Sequence, residues 1–184
     1  FTSVFQQHTA SLALARRIKA ARPDVTIFFG GANCESEMGA ETVRCFPFVD
    51  AAVSGEGEAV FPALVARVLE GRPFDDMPGV HTRASVARTL SGSPSTAPPL
   101  AMDDLPYPDF SDYLRQFGAS RFARRWRPTF PFETSRGCWW GAKHHCTFCG
   151  LNGSTMAFRS KSPERAMDEL VALTSAHPGC EVQV

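Results

Sequence analysis

The sequence predicts an α/β fold built on a doubly wound parallel sheet. Residues 25–29 are continuously apolar or β-branched, and residues 49–53 form a second short, mostly apolar run. Such runs are typical of parallel strands that are buried on both faces. Each run is followed by a turn that contains glycine, and segments with helical periodicity separate the runs. Alternating strands and helices favour a parallel sheet, whose ligands bind beyond the carboxyl ends of its strands.

Residues 1–78 supply the elements of this sheet. A first helix is predicted over 9–22, where Pro23 stops it. A second helix over 37–46 precedes the second strand, and a third follows a glycine-containing turn and ends at Leu69. The apolar stripe of the first helix is expected to comprise Leu14, Ile18 and Ala21.

The pattern becomes weaker between residues 79 and 127. Residues 80–83 and 86–90 predict a small hairpin, and residues 91–108 are rich in Ser and Pro. We therefore expect a linker over 79–127. Its second half carries several aromatic residues, which favour packing against a neighbouring surface.

A second unit is predicted over 128–184, in the order strand, cysteine-rich loop, helix, strand. Residues 130–134 are extended, and Ser162 followed by proline is typical of a helix start, with the helix running to residue 177. Residues 181–184 begin a further strand. The buried stripe of the helix is expected to comprise Met167, Leu170, Val171 and Thr174.

Composition narrows the class of protein. The chain opens at Phe1 rather than Met and stops within an apolar run, so we interpret it as a fragment of a longer protein. Lys plus Arg number 19 and Asp plus Glu number 19, so no net charge attracts nucleic acid or an anionic membrane. No run of about 18 apolar residues is present that would cross a bilayer. Six cysteines in a chain with ample aliphatic core favour a reducing cytoplasm over a disulfide framework.

Three of the cysteines, Cys138, Cys146 and Cys149, lie close together in the second unit. The last two form a C-x-x-C motif, whose spacing lets both thiolates face one ion or cluster. Three thiolates on a four-iron cluster leave one iron free to bind a small molecule. Two alternatives remain open: a zinc site that includes His144 or His145, and reduced cysteines in a core. The isolated Cys34, Cys45 and Cys180 are expected to be buried thiols.

Two stretches beside these cysteines carry a family resemblance. Phe-Glu-Thr-Ser-Arg-Gly-Cys at 132–138 and Phe-Cys-Gly-Leu-Asn-Gly at 148–153 resemble radical S-adenosylmethionine enzymes. Seven residues separate the first two cysteines instead of the usual three. That spacing, with Trp-Trp after the first cysteine, resembles the group that matures ribosomally made, post-translationally modified peptides (RiPPs). Upstream, Phe-Gln-Gln at 5–7, the Gly-Gly segment at 30–35 and the turn at 54–58 resemble that group's cobalamin-binding-type domain.

The resemblance implies a [4Fe-4S] cluster ligated by Cys138, Cys146 and Cys149. The free iron would bind S-adenosylmethionine and pass it one electron, which gives a 5′-deoxyadenosyl radical. The resemblance also implies that Phe148 and Gly150 lie beside S-adenosylmethionine, although Phe148 has the alternative role of packing under the loop. The implied folds are a flavodoxin-like sheet in the first domain and the first units of a partial TIM barrel in the second.

A cobalamin site in the first domain is implied by two further elements. Ser3-Val4-Phe5 and, 24 residues later, Gly30-Gly31 resemble the S-x-L and G-G elements that line the nucleotide tail of cobalamin. Glycine allows backbone to approach a bulky cofactor. The alternative is that Gly30 and Gly31 only form a tight turn. The element that supplies a lower axial ligand, Asp-x-His-x-x-Gly, would precede Phe1, and His8 is not expected to replace it.

Together these resemblances imply a cobalamin-dependent radical S-adenosylmethionine enzyme that methylates an unactivated carbon of a ribosomal precursor peptide. Its partners would be that peptide and a reductase, ferredoxin or flavodoxin as electron donor, in the cytoplasm, with neither nucleic acid nor membrane. A second interpretation keeps the radical chemistry without cobalamin or methyl transfer. A non-enzymatic alternative is a zinc-binding interaction module. The fragment alone is expected to be inactive, because most of the barrel is absent from it.

Overall fold

A computed structural model describes residues 1–92, 97–144, 146–147, 149 and 157–184. The chain divides into two compact units, unit 1 (Phe1–Leu100) and unit 2 (Ala101–Val184). Unit 1 contains α1 (Gln7–Ala21), β1 (Phe28–Phe29), α2 (Glu37–Cys45), β2 (Ala51–Val53), α3 (Gly57–Leu69), β3 (Val80–His81) and α4 (Val86–Leu90). Unit 2 contains α5 (Ser111–Ala119), β4 (Thr129–Pro131), β5 (Ser135–Arg136), β6 (Arg159–Ser160), α6 (Pro163–Ala176) and β7 (Glu181–Gln183).

The sheet of unit 1 has the strand order β1-β2-β3. β1 runs parallel to β2, with Phe28 opposite Ala51, and β3 runs antiparallel to β2. A parallel bridge joins Thr2 to Gly30, so the extended N-terminal residues flank β1. The predicted α/β class is confirmed, and the sheet is mixed, because β3 is antiparallel to its neighbour.

The core of unit 1 lies on both faces of β2. Successive side chains of a strand point to opposite faces, so Ala52 packs on one side and Ala51 and Val53 pack on the other. The first side includes Leu12, Ala15, Ile27, Phe29, Cys34, Ala40, Val43, Val49 and Val86. The second side includes Val60, Leu64, Met77 and Val80. Burial on both faces explains why this strand is almost wholly apolar.

The first strand is shorter than the predicted 25–29 run, because a side chain takes over part of the ladder. The carboxylate of Asp50 accepts a hydrogen bond from the amide N–H of Ile27 at 2.7 Å. The amide N–H of Asp50 in turn donates to the carbonyl of Ile27 at 3.0 Å. Lys19 of α1 donates to the same carboxylate at 2.9 Å. Asp50 therefore joins the helix to the start of the parallel pair.

The predicted hairpin over 80–90 is wrong. Val80–His81 is β3, which pairs with β2, whereas Val86–Leu90 is helix α4. Thr82 and Ser85 exchange side-chain hydrogen bonds, since the amide N–H of Thr82 donates to Ser85 Oγ at 2.8 Å and the amide N–H of Ser85 donates to Thr82 Oγ1 at 3.3 Å. Such local bonds compete with strand ladders and favour the start of a helix.

Unit 2 is organised around a parallel pair of strands. β4 pairs with β7, β5 pairs antiparallel with β6, and α6 lies between β6 and β7 in the chain. The predicted helix start is confirmed, because Ser162 Oγ accepts a hydrogen bond from the amide N–H of Arg165 at 3.2 Å and proline follows Ser162. The core contains Phe130, Phe132 and Leu173. In the part of the chain that the structure describes, no helix has the length and apolar character needed to cross a bilayer.

Candidate functional site

The cysteine loop begins and ends in the short antiparallel pair β5–β6. Arg136 lies opposite Arg159, and the next residue, Gly137, has a φ of +81°. A Cβ at Gly137 would come within 2.3 Å of the carbonyl oxygen of Ala157. Only glycine fits both this close approach and this backbone conformation. The base of the loop is therefore closed by backbone contact.

Cys138 is the first thiol of the loop and is half-buried. Its Sγ accepts a hydrogen bond from the amide N–H of Gly141 at 3.3 Å, and its carbonyl accepts one from Ala142 at 2.8 Å. Hydrogen bonds from backbone amides to cysteine sulfur are among the contacts that tune iron–sulfur clusters. The local backbone thus turns towards the Cys138 sulfur.

The C-x-x-C motif also forms a turn. The amide N–H of Cys149 donates to the carbonyl of Cys146 at 3.1 Å, which is the bond of a β-turn. Cys146 is exposed and Cys149 is half-buried. The turn holds these two residues close along the backbone and leaves one thiol accessible to solvent.

The structure does not bring the three thiols to one point. Among residues 1–92, 97–144, 146–147, 149 and 157–184, no three His, Cys, Asp or Glu side chains are arranged to hold a metal ion. The chemistry of the donor set nevertheless fits an iron–sulfur cluster, because all three are free cysteines and Cys138 has an amide donor to its sulfur. Phe148, Gly150 and His145 lie outside the described residues.

Aromatic rings follow Cys138. Trp139 and Trp140 are in edge-to-face contact at 5.8 Å between centroids, and both are exposed. Lys143 Nζ lies 5.9 Å from the Trp139 ring centroid. The His144 ring lies 4.9 Å from that of Trp140. His144 therefore has a packing contact of its own beside the cysteines.

In unit 1, the structure brings the residues predicted to bind cobalamin together. Ser3 is fully buried, and its amide N–H donates to the carbonyl of Gly30 at 2.7 Å. Gly31 has a φ of +91°, and a Cβ there would lie 2.8 Å from the Ser3 carbonyl oxygen. The close approach of the Ser3 backbone is thus a sufficient reason for glycine at this position. The role of Ser3, Gly30 and Gly31 towards cobalamin remains a prediction.

Ser3 is part of a polar network that the sequence did not indicate. Asn33 Nδ2 donates to Ser3 Oγ at 3.0 Å, and His8 Nδ1 lies 3.0 Å from the same oxygen. The other ring nitrogen of His8 lies 3.5 Å from Thr42 Oγ1. Both nitrogens of His8 therefore have partners within the chain, which agrees with the expectation that His8 is not an axial ligand.

A cavity of about 390 Å³ lies beside this network, between the first turn of α1 and the helix α2. Its lining consists of His8, Asn33, Met38, Glu41, Thr42, Cys45 and Phe46. These residues come from three separate parts of the chain, so no local motif could have revealed them. Open sheets bind ligands in this position, beyond the carboxyl ends of parallel strands.

Two strained residues flank the cavity. Phe5 and Ser36 have φ values of +43° and +48°, a region that residues with a Cβ seldom occupy. The carbonyl of Phe5 accepts a hydrogen bond from Asn33 Nδ2 at 3.1 Å, and the amide N–H of Ser36 donates to Ser54 Oγ at 2.7 Å. Such strain persists only where neighbouring contacts hold it, and it is concentrated at functional sites.

The remaining cysteines differ in exposure. Cys34 is buried, as predicted, and burial raises the pKa of its thiol to about 11. Cys180 is half-buried. The expectation that Cys45 is buried is wrong, because its thiol is exposed at the end of α2 and donates to Glu41.

No family model matches the chain. It is 29% identical over 161 residues to the 2-(S-pantetheinyl)-carbapenam-3-carboxylate methyltransferase of Streptantibioticus cattleyicolor, which covers 86% of this chain and 23% of the relative. It is 28% identical over 158 residues to the hopanoid C-3 methylase of Methylococcus capsulatus, covering 85% of this chain and 28% of the relative. It is also 28% identical over 163 residues to the anaerobic magnesium-protoporphyrin IX monomethyl ester cyclase of Rubrivivax gelatinosus, with 86% and 28% covered.

The chain therefore spans about a quarter of the length of these curated relatives. Their names describe enzymes, and two of them describe methyl transfer. The similarity runs across most of this chain, so it includes both units. It supports a distant relationship to enzymes that include methyltransferases.

Proposed function

We propose that the chain is part of a radical S-adenosylmethionine enzyme whose [4Fe-4S] cluster is held by Cys138, Cys146 and Cys149. The observation that carries this proposal is the loop itself, which presents three free thiols between β5 and β6 and is closed at its base by Gly137. The parallel β4–β7 pair, with α6 before β7, is compatible with the first units of a partial TIM barrel. The distant relationship to methylating enzymes supports the same proposal.

When bound, the cluster would supply the electron that cleaves S-adenosylmethionine. The residues of this chain bind and orient. The Gly141 amide directs a hydrogen bond to the Cys138 sulfur, and such a donor favours the thiolate form that binds iron. Phe148 and Gly150, beside the last cysteine, are proposed to contact S-adenosylmethionine.

We further propose that the reaction is methylation of an unactivated carbon in a ribosomal precursor peptide, with cobalamin as the methyl carrier in unit 1. Methyl transfer is supported by the names of two relatives. The cobalamin proposal is supported by the parallel β1–β2 pair and by the cavity that adjoins Ser3 and Asn33. The flavodoxin-like sheet, the electron donor and the cytoplasmic location belong to the same proposal.

The test uses the full-length protein, purified and reconstituted without oxygen. We expect about four iron atoms per chain, acid-labile sulfide, and formation of 5′-deoxyadenosine from S-adenosylmethionine. Cys146→Ala should lose the 5′-deoxyadenosine and the intact cluster, whereas the matched Cys180→Ala, outside the loop, should keep both. Retention of both by Cys146→Ala contradicts the ligand assignment.

Metal analysis of the same samples separates the alternatives. Zinc without iron or sulfide would identify a zinc-binding module instead of a radical enzyme. Iron and 5′-deoxyadenosine without cobalt in protein produced with cobalamin would leave the radical chemistry and remove the cobalamin proposal. Incubation with a candidate peptide, followed by mass spectrometry for a gain of methyl groups, tests the substrate class.

A further inference from the structure

A buried ion network lies in unit 2 behind the cysteine loop. The side chains of Lys161 and Glu169 are only 3% and 2% exposed. Lys161 Nζ donates to both carboxylate oxygens of Glu169, at 2.9 and 2.8 Å, and Arg165 Nη1 donates to one of them at 2.6 Å. Buried ion pairs seldom stabilise a fold more than apolar residues of the same volume do, and their best-attested role is to fix one arrangement over others.

The network is joined directly to the base of the cysteine loop. Lys161 follows β6, and its amide N–H donates to the carbonyl of Thr134 at 2.9 Å, immediately before β5. Lys161 Nζ also lies 5.6 Å from the ring centroid of Phe132 in the core. The residue that leaves the loop is therefore fixed against the residues that enter it.

The same network holds a second segment of the chain, residues 103–107. Arg165 Nε donates to the carbonyl of Asp103 at 3.1 Å, and its Nη2 donates to the carbonyl of Leu105 at 2.6 Å. The Asp103 carboxylate accepts from the amide N–H of Ser162 at 2.7 Å. The Arg165 guanidinium lies 4.1 Å from the centroid of the Tyr107 ring. Arg165 thus links this segment, the start of α6 and Glu169.

The short β5–β6 pair needs such a constraint. Each strand has two residues, so the ladder alone fixes the register weakly. A slip by one residue would turn the Lys161 side chain to the opposite face of the pair and away from Glu169. It would leave a buried carboxylate without its lysine, which is strongly unfavourable. The charges therefore select one register for the two ends of the loop.

We propose that Lys161, Arg165 and Glu169 are positioning residues that set the geometry of the cysteine loop and thereby the affinity of its cluster. This inference rests on the proposed function, since it takes the loop to be a cluster site. The network acts through the backbone of residues 134–138 and 157–161 and makes no direct contact with the thiols.

The test compares Glu169→Gln and Lys161→Met with Lys19→Met in the full-length protein. Glu169→Gln keeps the shape of the side chain and removes its charge. Lys19→Met is a matched control, because Lys19 donates to a carboxylate, that of Asp50, in unit 1. We expect the two network variants to fold and to release iron to a chelator about 10-fold faster than wild type, the lower end of the effect of supporting residues at metal sites. The electron paramagnetic resonance spectrum of their reduced cluster should change, while Lys19→Met keeps wild-type values.

A second measurement does not depend on the cluster. Hydrogen exchange on metal-free protein should be faster at residues 134–138 and 158–161 in Glu169→Gln, and unchanged there in Lys19→Met. If wild type binds no iron and this pattern appears, the cluster proposal fails and the positioning role stands. If folded Glu169→Gln has wild-type exchange, iron release and spectrum, the inference is overturned. Should Lys161→Met fail to fold, Glu169→Gln decides the matter.

Discussion

Unit 1 and unit 2 hold their candidate functional residues in opposite ways. In unit 1, Ser3 is fully buried and hydrogen-bonded to the chain around it, so the residues at the cavity are fixed by packing. In unit 2, Cys146 is exposed in a loop, and the buried contacts lie at the base of that loop. The difference shows that one site is shaped by its own side chains and the other by the scaffold behind it.

Metal chemistry gives this contrast a physical reason. Binding of a metal centre contributes to the folding free energy of its ligands, so a metal loop requires fixed ends more than a fixed interior. A cavity for an organic cofactor gains affinity when its lining is already ordered before binding. The two units therefore suit two different kinds of ligand.

The largest effect is expected from Gly137→Ala, which tests whether the base of the loop controls the site. The added Cβ would meet the Ala157 carbonyl oxygen at 2.3 Å, at a φ of +81°. We expect nearly complete loss of iron from reconstituted protein, measured by iron and sulfide analysis, with unit 1 still folded by hydrogen exchange. Wild-type iron content in this variant would break the comparison on the side of unit 2.

A smaller effect is expected from Gly31→Ala in unit 1. Its Cβ would lie 2.8 Å from the Ser3 carbonyl oxygen at a φ of +91°, and such strain costs about 1–3 kcal/mol. We expect a lower free energy of unfolding for unit 1 by urea denaturation, with iron content as in wild type. Gly71→Ala is a suitable control, because it also has a positive φ but its Cβ would meet nothing within 4 Å. If both variants lose the same stability, contact with Ser3 has no special importance.

The smallest effect is a pH dependence that arises from His81. Its side chain is buried, and among the described residues its Nε2 is a buried nitrogen without a hydrogen-bond partner. Burial lowers the pKa of His81 below the ordinary value of 6.5, although nearby Glu37 opposes the shift. Below pH 6.5 the unfolded chain therefore binds a proton that the folded chain does not.

The stability of unit 1 should consequently be independent of His81 above pH 6.5 and fall as the pH decreases towards the folded pKa. The slope is at most about 1.4 kcal/mol per pH unit for one proton. Urea denaturation at several pH values measures it, and His81→Leu should flatten the curve in this interval. An equal slope in the two proteins would assign the dependence to other groups.

Sequence periodicity predicted where the helices lie better than which faces they bury. In α6, Met167 and Val171 were expected in the core but are 59% and 54% exposed, whereas Glu169 and Leu173 are buried. The reason is the ion network, because Lys161 and Arg165 hold the Glu169 carboxylate inward. A charged residue looks like a surface residue in a periodicity pattern unless its distant partner is known. The same limitation affects α1, where Leu14 is 52% exposed while Leu12 and Ala15 are buried.

The candidate sites were predictable to the extent that their signals were local. Closely spaced cysteines between a strand and a helix start indicated the loop, and its position between β5 and β6 agrees with that expectation. The network of Lys161 and Glu169 and the cavity beside His8 depend on residues that meet only in the folded chain. The helix at Val86–Leu90 was missed because reciprocal bonds between two hydroxyl side chains outweigh a weak strand preference.

The strained backbone at Phe5 and Ser36 has a consequence for engineering this protein. Replacement by glycine at either position would relax an unfavourable torsion angle and offers a simple route to thermostabilised variants. These residues also lead into the helices that form the cavity wall. A gain in heat resistance there would come at the expense of a preorganised pocket, so selection for robustness and selection for cofactor affinity would favour different residues at the same two positions.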